Sequence, residues 1–146
     1  MKPFENKILI EARSWIGTPY VHQASTKGAG TDCLGLIRGV WRALFDDEPE
    51  DVPPYSQDWG ELGRQEFLLA AAARWLLPAV SPSSGDVLLF RMRDRSVAKH
   101  LGIAAQMGAA PSFIHAYSGH SVVESPLTGA WSRRVVARFR FPEGAK

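Results

Sequence analysis

The chain has 146 residues, 45% of them hydrophobic and 22% charged, with a formal net charge of +2. That length suits one globular domain with a real core, and the composition excludes a disordered or collagen-like chain. The small net charge argues against a nucleic-acid partner, because the basic residues are scattered apart from Arg91, Arg93, Arg95 and Arg133, Arg134, which read as solvated strand and loop positions.

The N-terminal "MKPFENKILIEARSW" has no long apolar run and sets Glu5 and Glu11 around its short "ILI", so neither a secretory signal nor a membrane span is expected. Residues 4–16 carry Ile8, Leu9, Ala12, Trp15 and Ile16 at helical spacing, and "GTP" at 17–19 ends that helix. The polar "YVHQASTKGAGTD" reads as a loop. It delivers Thr31 and Asp32, both good N-cap types, to a second helix that opens at Cys33. Leu34, Leu36, Ile37, Val40, Trp41 and Leu44 cover much of this helix, as expected when it is buried on more than one side. Pro49 forbids its continuation.

Residues 48–60 hold three prolines and read as an irregular connection. "ELGRQEFLLAAAARWLL" then predicts a third helix, stopped by Pro78. Together these form an expected insertion at about 48–82 in an otherwise single domain spanning 1–146. Beyond it, "DVLLFRMR", "HLGIAAQM", "SFIHAYS", "HSVVES" and "RRVVARFRF" predict five strands. Helices followed by strands make an α+β domain with an antiparallel sheet.

Cys33 is the only cysteine, so the fold depends on no internal disulfide. A thiol in the first turn of a helix meets unsatisfied N–H groups and the positive end of the macrodipole, which lower its pKa. The competing reading is a small buried hydrophobe. The flexible "KGAGT" before Asp32 lets the backbone approach a ligand, which a core cysteine does not require. His100 opens one predicted strand and His115 lies in the next, fifteen residues on, so the two can meet on adjacent antiparallel strands. A thiol hydrolase needs a nucleophile, a base and a polar group that orients the base. Cys33, His100 and His115 can fill those roles.

"GTPYVHQASTKGAGTDCLGLIRGVW", "SGDVLLF", "KHLGIAA" and "FIHAYSG" resemble, in order and character, the motifs of the NlpC/p-sixty cysteine peptidases, especially their phage-encoded cell-wall branch. The likeness spans roughly residues 8–125. It implies a papain-like α+β fold, Cys33 as nucleophile, His100 as general base and His115 as the residue that orients the base. It further implies that the Tyr20 hydroxyl supports an oxyanion or substrate, and that Asp32 helps hold the free amine of a short stem peptide. A plain N-cap is the other reading of Asp32. The chain departs from many members at Leu34, where they carry serine, which removes a polar contact to substrate.

The expected activity is therefore hydrolysis of an amide bond in peptidoglycan stem peptides, with no cofactor and no metal. The expected setting is a phage or prophage tail that delivers the protein, made in the cytoplasm, to the cell wall. A second reading makes the domain a structural tail-assembly module with a vestigial site, its third helix burying Phe67, Leu68 and Trp75 against a partner such as phage tail proteins; packing of these residues on the domain's own core is the preferred expectation, because an amphipathic helix usually packs at home. A metal site built from Cys33, His100, His115 and either His22 or His120 ranks last, because close ligand pairs such as C-x-x-C are absent. His22 and His120 are assigned to loops.

Overall fold

The computed structural model describes residues 2–49, 55, 66–93 and 95–143. Helix α1 (Pro3–Arg13) starts on a proline, whose missing N–H costs nothing there, and buries Ile8, Leu9 and Ala12. It ends a turn before the predicted 16. Gly17, at φ +94°, then turns the chain, and its N–H donates to the Val122 carbonyl at 2.9 Å. The predicted loop contains a minimal hairpin, β1 (Ser25–Thr26) with β2 (Gly30–Thr31). Directly after it comes α2 (Cys33–Phe45).

Two glycines let α2 sit at the centre of the domain. A Cβ on Gly39 would lie 2.0 Å from the Trp15 ring, and one on Gly35 would lie 2.0 Å from the Ala24 carbonyl oxygen. Only a residue without a side chain permits both approaches. Cys33, Leu36, Ile37, Val40 and Leu44 are buried along α2, as its broad apolar surface predicts.

Helix α3 (Phe67–Trp75) is shorter than the predicted 61–77, and 50–54 and 56–65 of the expected insertion lie outside the described residues. Leu77 and Pro78 do not extend it. They form β3 (Leu77–Pro78), paired with Arg140 and Phe139 at the sheet edge, where proline's missing donor is tolerated. The five predicted strands follow as β4 (Val87–Arg91), β5 (Ala98–Ala104), β6 (Ser112–His115), β7 (Val123–Pro126) and β8 (Val135–Arg140). A four-residue helix, α4 (Gly129–Ser132), lies between the last two. Among the described residues the main sheet has six strands in the order β3-β8-β4-β5-β6-β7, and every pairing in it is antiparallel.

Both sheet faces are covered. Leu89, Leu101, Ile103 and Ile114 join the α1 and α2 side chains in the main core. Leu88, Phe90, Ala104 and Phe113 form a second cluster with Met92, Leu127, Trp131 and Val135. The continuous "VLLF" of β4 follows from this, since a strand buried on both faces needs no polar alternation. Asp86, just before β4, is 1% exposed and accepts from Arg138 at 2.9 Å and from the Ser83 N–H at 2.8 Å. It ties the start of β4 to β8. Among the described residues no helix is long and apolar enough to cross a membrane.

Candidate active site

Asp32 is the N-cap of α2, its Oδ1 accepting the Gly35 N–H at 2.7 Å, and this cap sets the position of Cys33 in the first turn. The other carboxylate oxygen accepts the Gln23 N–H at 2.7 Å and the Tyr55 hydroxyl. The Nδ1 of His22 lies 3.8 Å from it. Tyr55 is held from its other end as well, because its carbonyl accepts from His22 Nε2 at 2.8 Å and from Gln23 Nε2 at 2.6 Å.

The Cys33 sulfur faces the Lys99 carbonyl of β5 at 4.0 Å, and the Leu101 N–H acts on it from the same strand. It therefore lies against the two residues that flank His100. The β4–β5 register slips here: Phe90 pairs with His100 but Arg91 pairs with Ala98, leaving Lys99 as the extra residue. Such a bulge bends the strand and re-aims its side chains.

His100 and His115 come together as their spacing predicts. His100 Nε2 is 2.8 Å from His115 Nδ1, and His115 Nε2 is 2.9 Å from the Ser125 hydroxyl on β7. Trp131 covers both rings, at 5.7 and 5.2 Å between centroids, and Tyr117 stacks on His115 at 5.0 Å. Between Cys33 and His100 there is no hydrogen bond among the described residues. Catalytic hydrogen bonds of this kind are often long until substrate binds.

Burial governs the protonation of this group. Burial, reinforced by the Asp32 charge, pushes the Cys33 thiol up to about 12, against the opposing N–H groups of Leu101, Leu34 and Cys33 itself. The depressed pKa expected from the helix terminus is thus overturned: desolvation of the thiolate outweighs the helix end. Burial lowers His100 to about 3 and His115 to about 4, with His115 adding to the first and His120 to the second. The resting state is a neutral thiol beside two neutral imidazoles. Tyr20 is pushed up to about 12, first by burial and then by Cys33 and Asp32, so its hydroxyl keeps its proton at neutral pH.

A pH dependence of stability follows. Both folded-state histidine values lie below the ordinary 6.5, so between pH 6.5 and about 4 the unfolded chain binds more protons than the folded one. Stability is full above pH 6.5 and falls on acidification, with a slope approaching about 2.7 kcal/mol per pH unit when both histidines contribute. Thermal unfolding from pH 7 to 4 should show this loss, and His115→Phe should reduce its slope by about half.

Sequence reasoning did not single out Tyr55, Ser125, Tyr117 or Trp131. Tyr55 lay in an apparently irregular connection, and the other three join the site only through strand register and chain return. His22 is half-buried beside Asp32, and His120 is exposed on the Tyr117 ring at 4.3 Å. Of Phe67, Leu68 and Trp75, expected to pack on this domain's own core, Leu68 does so, while Phe67 and Trp75 remain 54% and 38% exposed. Among the described residues no three His, Cys, Asp or Glu side chains are grouped to hold a metal ion.

An antiparallel sheet covered by helices, with a thiol opening the central helix and paired imidazoles on neighbouring strands, defines an α+β protein of papain-like construction. The chain belongs to the NlpC/P60 family, whose model matches residues 17–140. Among solved structures, a Staphylococcus aureus protein described as similar to lipoprotein, NLP/P60 family, matches with a TM-score of 0.60 at 19% identity, over 99% of this chain and 43% of that one. The NlpC/p60 domain of the peptidoglycan hydrolase SagA gives 0.62 at 22% identity, over 94% and 98% of the two chains. An NlpC/P60 family protein from Bacillus cereus gives 0.64 at 16% identity, over 97% of this chain and 41% of that one. The chain thus spans less than half the length of two of these proteins. No curated protein matches it.

Proposed function

We propose that this protein is a cysteine peptidase of the cell wall that hydrolyses an amide bond in peptidoglycan stem peptides. The observation that carries this reading is the pair His100–His115, bonded at 2.8 Å between β5 and β6, with the carbonyl of Lys99, next to His100, 4.0 Å from the Cys33 sulfur at the N-terminus of α2. The family membership and the likeness to a domain from a peptidoglycan hydrolase support the substrate class.

His100 Nε2 is engaged by His115, so Nδ1 is the nitrogen that takes the thiol proton. Because thiol and imidazole are both neutral at rest, this transfer accompanies attack. The sulfur bonds to the substrate carbonyl carbon, and the electron pair moves to the carbonyl oxygen. The Cys33 N–H and the Tyr20 hydroxyl are the donors for that oxyanion. On collapse the C–N bond breaks, and the departing amine takes the proton from His100 to leave a thioester. Water, deprotonated by His100, then releases the acid and restores the thiol. Delivery by a phage or phage-like tail rests on the motif resemblance alone.

The test is incubation of purified peptidoglycan and soluble stem peptides with the wild-type protein and with Cys33→Ala, followed by mass spectrometry of the products. A new peptide amine released only by the wild type is expected. Intact substrates with a folded wild-type protein would sink the reading, and the second one would take its place: a structural module docking through the exposed Phe67, Trp75 and Leu77.

A further inference from the structure

The paired histidines do not end the hydrogen-bonded series. His115 Nε2 goes on to the Ser125 hydroxyl at 2.9 Å, and Ser125 sits on the edge strand β7. His115 is fully buried, whereas Ser125 lines an open surface groove together with Gln106, Pro111, Ser112, Glu124 and Leu127. Among the described residues His115 Nε2 is the hydrogen-bond partner of the Ser125 hydroxyl; the neighbouring Ser112 hydroxyl is the one that donates to Glu124, at 2.7 Å. The Ser125 hydroxyl can donate to His115 Nε2, or accept from it and turn its own proton to the open groove.

Two proton arrangements fit the observed distances. In one, Ser125 donates to His115 Nε2, His115 Nδ1–H donates to His100 Nε2, and His100 is left protonated on Nδ1. In that state His100 has no lone pair for the thiol. In the other, His115 Nε2–H donates to Ser125, His115 Nδ1 accepts from His100 Nε2–H, and His100 Nδ1 is unprotonated. Only the second arrangement yields a base.

We infer that Ser125 is a positioning residue that, by accepting from His115 Nε2 and giving its own proton to groove water, holds both imidazoles in the tautomers that leave His100 Nδ1 free to take the Cys33 proton. The inference deepens the proposed peptidase reading and rests on it for its consequence, but the tautomers themselves are observable without any substrate. The device suits a site in which neither imidazole is charged: with no ion pair to align them, the hydroxyl at the far end, turned to accept, selects the proton positions. Since tautomer choice in a buried imidazole is set by the bond the other ring nitrogen makes, removing the acceptor releases both rings at once.

The experiment is nitrogen-15 NMR of the histidine rings at pH 7 in the wild type, Ser125→Ala and Ser125→Thr, with kcat and KM measured on a stem peptide for the same proteins and for His100→Ala. In the wild type His115 should be protonated on Nε2 and bare on Nδ1. Ser125→Ala should show a mixture of tautomers and a kcat lowered about fivefold to tenfold, the scale of one neutral hydrogen bond, with KM unchanged. Ser125→Thr, which keeps the hydroxyl, should restore both. A wild-type His115 protonated on Nδ1, or an Ser125→Ala protein that keeps the wild-type tautomer and kcat, would overturn the inference. Failure of the underlying peptidase reading shows separately, as a kcat that His100→Ala leaves intact, and the ring spectra judge Ser125 in either case.

Discussion

Replacing His100 by alanine is expected to lower kcat on a stem peptide by about 10³–10⁴-fold, with KM little changed and the fold retained. The magnitude follows from the state of the thiol. Many reactive cysteines hold a standing thiolate and survive loss of a partner with partial activity, but here burial and Asp32 push Cys33 up to about 12. At neutral pH almost no thiolate exists without a base. Iodoacetamide alkylation should report the same condition: the resting thiol should react slowly at pH 7 and gain rate only well above the ordinary cysteine value of about 8.5. A fast, low-pH alkylation profile in the wild type would show that the site opens to water and that the neutral resting state is wrong. A kcat that survives His100→Ala would remove the imidazole from the mechanism.

The second large effect is expected at Asp32. Its carboxylate is 2% exposed and accepts from two backbone N–H groups and the Tyr55 hydroxyl. Asp32→Ala removes the N-cap of α2, worth about 1 kcal/mol, and leaves further buried donors unmatched at about 1–3 kcal/mol. A loss of about 3 kcal/mol, or roughly 10 °C in Tm, should appear in thermal unfolding. Asp32→Asn makes a sharper comparison, because it keeps the shape and removes the charge. That charge is one of the causes raising Cys33, so the alkylation profile of Asp32→Asn should move to lower pH. An unmoved profile would mean that desolvation alone sets the thiol. The same bonds bear on the amine-binding role implied by resemblance: a buried carboxylate already engaged by three donors has one acceptor site left, on Oδ1, for an ammonium group.

Much of this architecture was legible in the chain itself. The apolar spacing of Ile8, Leu9 and Ala12, the Asp32–Cys33 junction and the β-branched runs after Gly85 define helices and strands through local preference and burial pattern, which act over a few residues. The fifteen-residue separation of His100 and His115 sufficed to pair them, because adjacent antiparallel strands joined by a short turn leave little choice of partner. The third helix is predicted to run up to Pro78 but stops at Trp75, and the capture of Leu77 and Pro78 by β8 could not be read, since Arg140 and Phe139 lie some sixty residues away.

What only the tertiary structure decided is the chemistry of the site. A helix terminus lowers a thiol pKa when it acts alone, and sequence places Cys33 at one. The enclosing sheet reverses that, because excluding water from a thiolate costs more than a few aligned N–H groups return. Likewise Tyr55 meets Asp32, Trp131 covers the histidines and Ser125 reaches His115 only because separate stretches of chain converge on one place. Side-chain identity is local, whereas solvent exclusion and the direction of a hydrogen bond depend on everything packed around it. The candidates Cys33, His100, His115, Tyr20 and Asp32 could be named from the sequence, but the residues that surround them, their protonation and their order of bonding are properties of the fold.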